Sequence, residues 1–334
     1  MTPSLPVFFV PHGSPGFALR PGAAGAAMVA AVGGLPRPRA IVIVSAHWEM
    51  PEPTVGFAER PRTIHDFYGF PEELYALNYP ATGCREASRE VVKAITAAAL
   101  PVEEEAARGL DHGAWVPLRL MFPEANVPVI PVSIQSAGGP QQAWRLGQAL
   151  APLAAQGFLI IGSGNVTHNL RDYQLAARQA GQTPDYVRAF SGWLADRLAT
   201  HDIAALLDYR RQAPGAVRAH PSEEHLLPLF VSLGAGGEKA TVQRFHAGID
   251  DHVIAMDAYS FWLFMCFGRL KICAGAGRHS DRILGCYSVR IWPDAPPSGL
   301  AGRCQVLRRN TRTALAGGST LSALCVARSD PARA

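Results

Sequence analysis

The chain has 334 residues, 48% of them hydrophobic and 17% charged, enough for one large domain or two small ones around a sizeable core. The net charge of +4 is unevenly spread: residues 263–334 carry ten Arg and one Lys against three Asp, which leaves 20 basic and 24 acidic residues in 1–262. The body is thus slightly acidic, and its charge does not point to nucleic-acid binding.

Met1 to Pro15 has no basic stretch and only a short apolar run, Val7 to Val10, so it does not read as a signal peptide. The most apolar segment, Tyr259 to Phe267, falls far short of the roughly 20 residues of a membrane span. A cytoplasmic protein that does not engage the membrane is expected. Cys84 is the only cysteine before residue 263, which excludes a disulfide framework in the body.

In chain order, Pro6 to Val10 is a short strand ending in the loop Pro11-His12-Gly13-Ser14-Pro15. Ala40 to Ser45 is a β-branched run, expected to be a strand buried on both faces. A helix is expected over Arg85 to Ala98. Val127 to Ile134 is the next strand, with Pro128 and Pro131 pointing to an edge or a bulge. A helix over Gln141 to Ala155 precedes a fourth strand, Phe158 to Ser163. Helices follow over Asp185 to Ala199, His201 to Leu207 and Glu223 to Leu233, then a strand over Ala240 to Phe245. Such alternation predicts an α/β fold: a mostly parallel central sheet flanked by helices, in one domain spanning 1–262. In such sheets ligands gather at the carboxyl ends of the strands.

Residues 263–334 are different in character, rich in Arg, Gly and Ser, without Glu, and holding Cys266, Cys273, Cys286, Cys304 and Cys325. They read either as a disordered basic extension or as a stretch translated out of frame.

The eleven histidines carry the main chemical signal. His12, His47 and His168 each lie just past a strand-like run, where side chains of different strands converge. Any one of them alone is more often a core or capping residue, but several in equivalent positions suggest a site. Imidazoles suit zinc and iron, and a set of two or three with an optional carboxylate leaves coordination positions open for catalysis. No Cys-x-x-Cys pair, phosphate-binding loop or Gly-x-Ser-x-Gly elbow is present.

The segments PHGSP (11–15), PRAIVIVSAHWE (38–49), TIHDFYGFPEELYALNYPATG (63–83), LDHGAWVPLRLMFPEANVPVIPVSI (110–134), GSGNVTHNLR (162–171) and EEHLLPL (223–229) together resemble the class III extradiol ring-cleavage dioxygenases, most closely the 4,5-DOPA dioxygenase branch. The resemblance runs to about Tyr259, is weaker between Tyr173 and Ala219, and stops before the tail. It implies an enzyme that inserts both atoms of O2 into a catechol ring beside its two hydroxyls. It implies one metal, Zn2+ or Fe2+ with Fe2+ expected for turnover, held by His12, His47 and His225, with Glu224 a rival for the third position. His168 matches an acid/base histidine that is alternatively a fourth ligand, and His112 a histidine near substrate. His65, His220 and Trp115 are candidates to line the substrate pocket. Two other classes stay open on the residues alone: a zinc hydrolase using the same histidines and a non-catalytic binding protein on the same fold.

Overall fold

The apolar runs of the sequence become the middle of one sheet. The structure, a computed structural model, describes residues 4–178 and 182–262. In chain order its strands are β1 Val7–Pro11, β2 Ala40–Glu49, β3 Thr54–Gly56, β4 Glu103–Glu105, β5 Val129–Ile134, β6 Phe158–Gly164, β7 Thr241–His246, β8 Ile249–Asp250, β9 Ile254–Ala255 and β10 Ala258–Trp262. Eight of them pair in the order β4-β3-β5-β2-β6-β1-β10-β7, and β8 pairs with β9 separately. The central strands β5, β2, β6 and β1 are parallel. β10 is antiparallel to β1 and to β7. The fold is therefore α/β with a mostly parallel sheet between helices.

Burial on both faces follows from the strand period of two. Phe9, Val42, Val44 and Ile160 join one core with Val91, Leu150, Phe190 and Phe230, from helices Arg85–Ala97, Gly139–Ala154, Asp185–Thr200 and Leu227–Gly236. Their neighbours Phe8, Ile41, Ile43 and Ile161 join the other with Met28, Trp115 and Leu118, from helices Gly22–Val32 and His112–Met121. A strand with an apolar residue at every position satisfies both layers, which is why Ala40 to Val44 shows no alternation.

Four expectations are corrected. β2 does not stop at Ser45 but continues through His47 to Glu49, with an irregular stretch before Glu49 pairs with Ile134. β5 is an interior strand rather than an edge. Its prolines are tolerated because β3 pairs with it at the single position Val55–Val132, so few ladder bonds are lost on that side. The helix expected from Glu223 begins only at Leu227, where Pro228 lies in its first turn, and Glu224 and His225 lie in the turn before it. The sheet also does not end with the strand near Ala240: β10 follows and inserts between β1 and β7. No helix among the described residues is long and apolar enough to cross a membrane. The expectation about 263–334 lies outside the described residues.

Because β10 buries Tyr259 and Phe261, each 1% exposed, its removal forfeits about 1.5–3 kcal/mol per side chain and uncovers β1. A chain ending at Trp262 should melt at the same temperature as the full chain, whereas one ending at Asp257 should not fold. Thermal denaturation followed by circular dichroism checks both, and a lower midpoint for the chain ending at Trp262 would assign a stabilising role to later residues.

Candidate metal centre

Four histidines meet at the carboxyl ends of the central strands. His12 follows β1, His47 lies near the end of β2, and His112 opens the helix His112–Met121. His225 lies in the turn before the helix Leu227–Gly236. The Nε2 of His47 lies 3.3 Å from the Nε2 of His12 and 3.3 Å from the Nε2 of His225. The His112 ring is centred 4.0 Å from that of His47. His168 stacks on His225, with centroids 3.4 Å apart and planes 10° from parallel.

Each of these positions is built by local chemistry. In the irregular end of β2 the Ser45 hydroxyl accepts from the His47 backbone N–H and donates to Asp111 Oδ1. Asp111 in turn caps the helix His112–Met121 by accepting from Ala114 N, and Arg108 bridges its other oxygen to the His47 carbonyl. The end of β2 and the start of this helix are thereby one unit. Gly113 lies where a Cβ would overlap the Ser45 hydroxyl and crowd His47 and His12, so only glycine permits the approach. Gly164 does the same at the end of β6. A Cβ there would overlap the His225 carbonyl, which instead accepts from Asn165 N at 2.9 Å.

The Nδ1 atoms settle which nitrogens face inward. Glu224 Oε1 lies 2.9 Å from His225 Nδ1 and also accepts from Ser222. The Asp66 carboxylate lies 3.4 Å from His47 Nδ1 and 3.0 Å from His112 Nδ1. Ser163 donates its hydroxyl to the Gly113 carbonyl, so it meets His12 Nδ1 at 3.0 Å as an acceptor. Carboxylates accept only. His12 and His225 therefore carry their protons on Nδ1 and direct Nε2 lone pairs at the Nε2 of His47, whose Nδ1 faces the Asp66 carboxylate.

Burial keeps these rings neutral. Desolvation, followed by the neighbouring histidines, holds His12 and His225 well below the ordinary 6.5. Desolvation also brings His47 and His168 to about 4. Burial works to raise Asp66, but its hydrogen bonds from His112 and the nearby imidazoles prevail and set it at about 2.

Facing lone pairs at 3.3 Å repel unless a cation lies between them. Metal–imidazole bonds of about 2.0–2.1 Å separate neighbouring nitrogens by about 2.8–3.0 Å in octahedral and about 3.3–3.4 Å in tetrahedral geometry. The residues present thus fit a divalent transition metal. His12, His47 and His112 form one group whose ligand atoms lie within 4.8 Å of one another, and His168, Glu224 and His225 form a second. The His47–His225 contact joins the two. Glu224 directs an oxygen at His225 Nδ1, on the side away from the converging lone pairs.

The other expected pocket residues are placed differently. His65 is half-buried with its Nε2 on the Leu77 carbonyl, beside Trp115 and Phe67. Trp115 is fully buried and donates to the Ile64 carbonyl. His220 is also fully buried, bonded to the Val166 carbonyl and packed on Phe190. Neither Trp115 nor His220 reaches an open surface. Asp66, Asp111, Ser45 and Ser163 carry no signal in the sequence, because a partner to a histidine is recognisable only once the chain has folded.

A histidine-lined centre at the carboxyl edge of a parallel sheet defines a metalloenzyme-like α/β protein. Residues 27–254 match the family model described as the catalytic LigB subunit of aromatic ring-opening dioxygenase, and the chain belongs to that family of enzymes. It is 39% identical over 226 residues to 4,5-DOPA dioxygenase extradiol of Beta vulgaris, covering 67% of this chain and 83% of the relative. It is 35% identical over 245 residues to the protein of the same name in Escherichia coli K12, covering 71% and 88%. The crystal structure of an uncharacterized Escherichia coli K12 protein matches with a TM-score of 0.64 at 27% identity, over 77% of this chain and 99% of that one.

The buried neutral histidines predict an acid-labile metal-free protein. His47, His168 and His220 take up protons only near pH 4 when folded but near 6.5 when unfolded. Between those values the unfolded state binds more protons, so stability falls as pH drops from about 6.5 to about 4. Urea denaturation across this range measures the slope, and a flat profile would contradict the neutral assignment.

Proposed function

We propose that residues 1–262 form a metal-dependent extradiol dioxygenase that cleaves a catechol bearing a DOPA-like side chain. The convergence of the His12, His47 and His225 lone pairs is the observation that carries this reading. These three would hold the metal through Nε2. Bound Fe2+ would supply the redox-active centre at which catechol and O2 are brought together, whereas Zn2+ is redox-inert. One ring C–C bond breaks beside the diol and both oxygen atoms enter the product, so no outside reductant is needed.

The histidines outside this set suit proton handling. His168 stacks on His225, is partly open to solvent, and is neutral at pH 7. It would take a catechol proton at a ring nitrogen and return it as the ring opens. His112, held at the mouth of its helix, would contact the substrate from the other side. Next to Glu224 opens a cleft of about 600 Å³ lined in part by Glu49, Arg210 and Glu223. A zwitterionic side chain on the catechol finds both signs of charge there. A reducing cytoplasm suits a body whose single cysteine is Cys84.

The test is anaerobic loading with Fe2+ followed by oxygen uptake on DOPA, dopamine, 3,4-dihydroxybenzoate and catechol. One O2 should be consumed per DOPA cleaved, with weaker turnover of catechols lacking the amino-acid group and none in the Zn2+ form. Hydrolytic turnover by the Zn2+ form without O2 would overturn the reading. His225→Ala should abolish stoichiometric metal binding, while Glu224→Ala should weaken it only. The reverse pattern would make Glu224 the ligand. His168→Ala should keep iron and lose about 10²–10⁴-fold in turnover, the usual cost of a missing acid/base, and loss of the metal instead would make it a fourth ligand.

A further inference from the structure

Asp66 is the one carboxylate among the described residues that reaches two imidazoles of the cluster. Its Oδ1 accepts from the His112 backbone N–H at 2.9 Å and lies 3.0 Å from His112 Nδ1. Its Oδ2 lies 3.4 Å from His47 Nδ1. His112 Nδ1 is buried and makes no hydrogen bond of good geometry among the described residues, and the Asp66 carboxylate is the charged group that stands beside it.

Two simpler roles are already filled. The cap of the helix His112–Met121 is Asp111, whose side chain accepts from Ala114 N, so the helix does not need Asp66 to begin. Asp66 is also not positioned as a ligand, because it approaches His47 from the Nδ1 side while the lone pairs converge at Nε2. Nor do His47 and His112 have a separate acceptor each, as His225 has in Glu224 and His12 in Ser163.

We propose that Asp66 is a positioning residue that fixes His47 and His112 together in the Nδ1–H form, so that both Nε2 atoms are presented inward as bases. This rests on the metal-site reading for its use, but the tautomers themselves are a property of the metal-free protein. An imidazole with its proton on Nε2 offers no lone pair there. Without Asp66, His47 is free to adopt that form and would have to move its proton from Nε2 to Nδ1 before binding a metal. His112 would likewise present an N–H where it now presents an acceptor.

Asp66→Asn is the discriminating substitution. The side chain keeps its size, and its carbonyl oxygen can still accept from His112 N, so the segment stays anchored. Its other atom becomes an NH2 donor, which cannot accept from His47 Nδ1 and favours a lone pair there. In metal-free full-length protein with 15N-labelled histidine, long-range 1H–15N spectra should show Nδ1–H for His47 and His112, assigned with His47→Gln and His112→Gln. In Asp66→Asn the His47 signal should move to the Nε2–H pattern. Zn2+ affinity, measured by chelator competition, should fall about 10- to 100-fold, the usual effect of losing such a partner, with an unchanged melting temperature for the metal-free protein. Nε2–H at His47 in the unsubstituted protein would overturn the proposal, even if the variant fails to fold. So would an Asp66→Asn variant with unaltered tautomers or unaltered Zn2+ affinity. Failure of the unsubstituted protein to bind Zn2+ at all would count against the metal-site reading instead, and leaves the tautomer result to decide this one.

Discussion

Neutral imidazoles do not settle with their lone pairs facing one another unless their far sides are held, and that constraint organises the carboxyl edge of this sheet. Each ring needs a partner at Nδ1, and each partner comes from a different part of the chain: Ser163 for His12, Asp66 for His47 and Glu224 for His225. The partners need support in turn. Ser163 is committed by its bond to the Gly113 carbonyl, and the end of β2 is tied to the following helix through Ser45, Asp111 and Arg108. The glycines at 113 and 164 exist because the backbones carrying these groups must come closer than a Cβ allows. Burial adds the last condition by keeping the rings uncharged, so that their lone pairs remain available to a cation.

Much of this arrangement is legible in the amino-acid sequence. The continuous apolar runs of β2 and β6 identify strands buried on both faces, and the histidines just beyond them mark the edge where ligands collect. His12, His47 and His225 stand in recognisable motifs and do converge. What is not legible follows from the same physics. β2 runs past its apolar stretch because Ser45 replaces a ladder partner for the His47 N–H. The turn carrying Glu224 and His225 reads as helix because its composition is helical, and only the position of Pro228 delays the start. His220 and Trp115 stand beside pocket motifs, yet each spends its polar atom on a backbone carbonyl within the core. Asp66 gives no sign of its role, because a lone acid beside His65 has no meaning until His47 and His112 are brought to it.

The two halves of the candidate centre also differ in character. On the β2 side the backbone carrying His47 and His112 is held by a network of hydrogen bonds through Ser45, Asp111, Arg108 and Asp66, and His12 meets Ser163. On the other side His168 lies on the face of His225, partly exposed and held chiefly through its backbone N–H on the Ala219 carbonyl. A rigid half suits holding a metal in fixed geometry. A more open half suits a group that must meet a substrate and exchange protons with it.

The far-flung origin of these partners has a consequence for how the protein is made. His12 and Ser163 are 151 residues apart, and His47 and His225 are 178 apart. β1, which delivers His12, lies between β6 and β10, both contributed much later in the chain. On a ribosome, the first histidine therefore waits through most of synthesis for the strands on either side of it, and contacts of such long range form slowly. No short piece of the nascent chain contains a chelating set. The centre is completed only when the sheet closes, so a metal entering it would bind the finished fold and act as a late clasp on that fold.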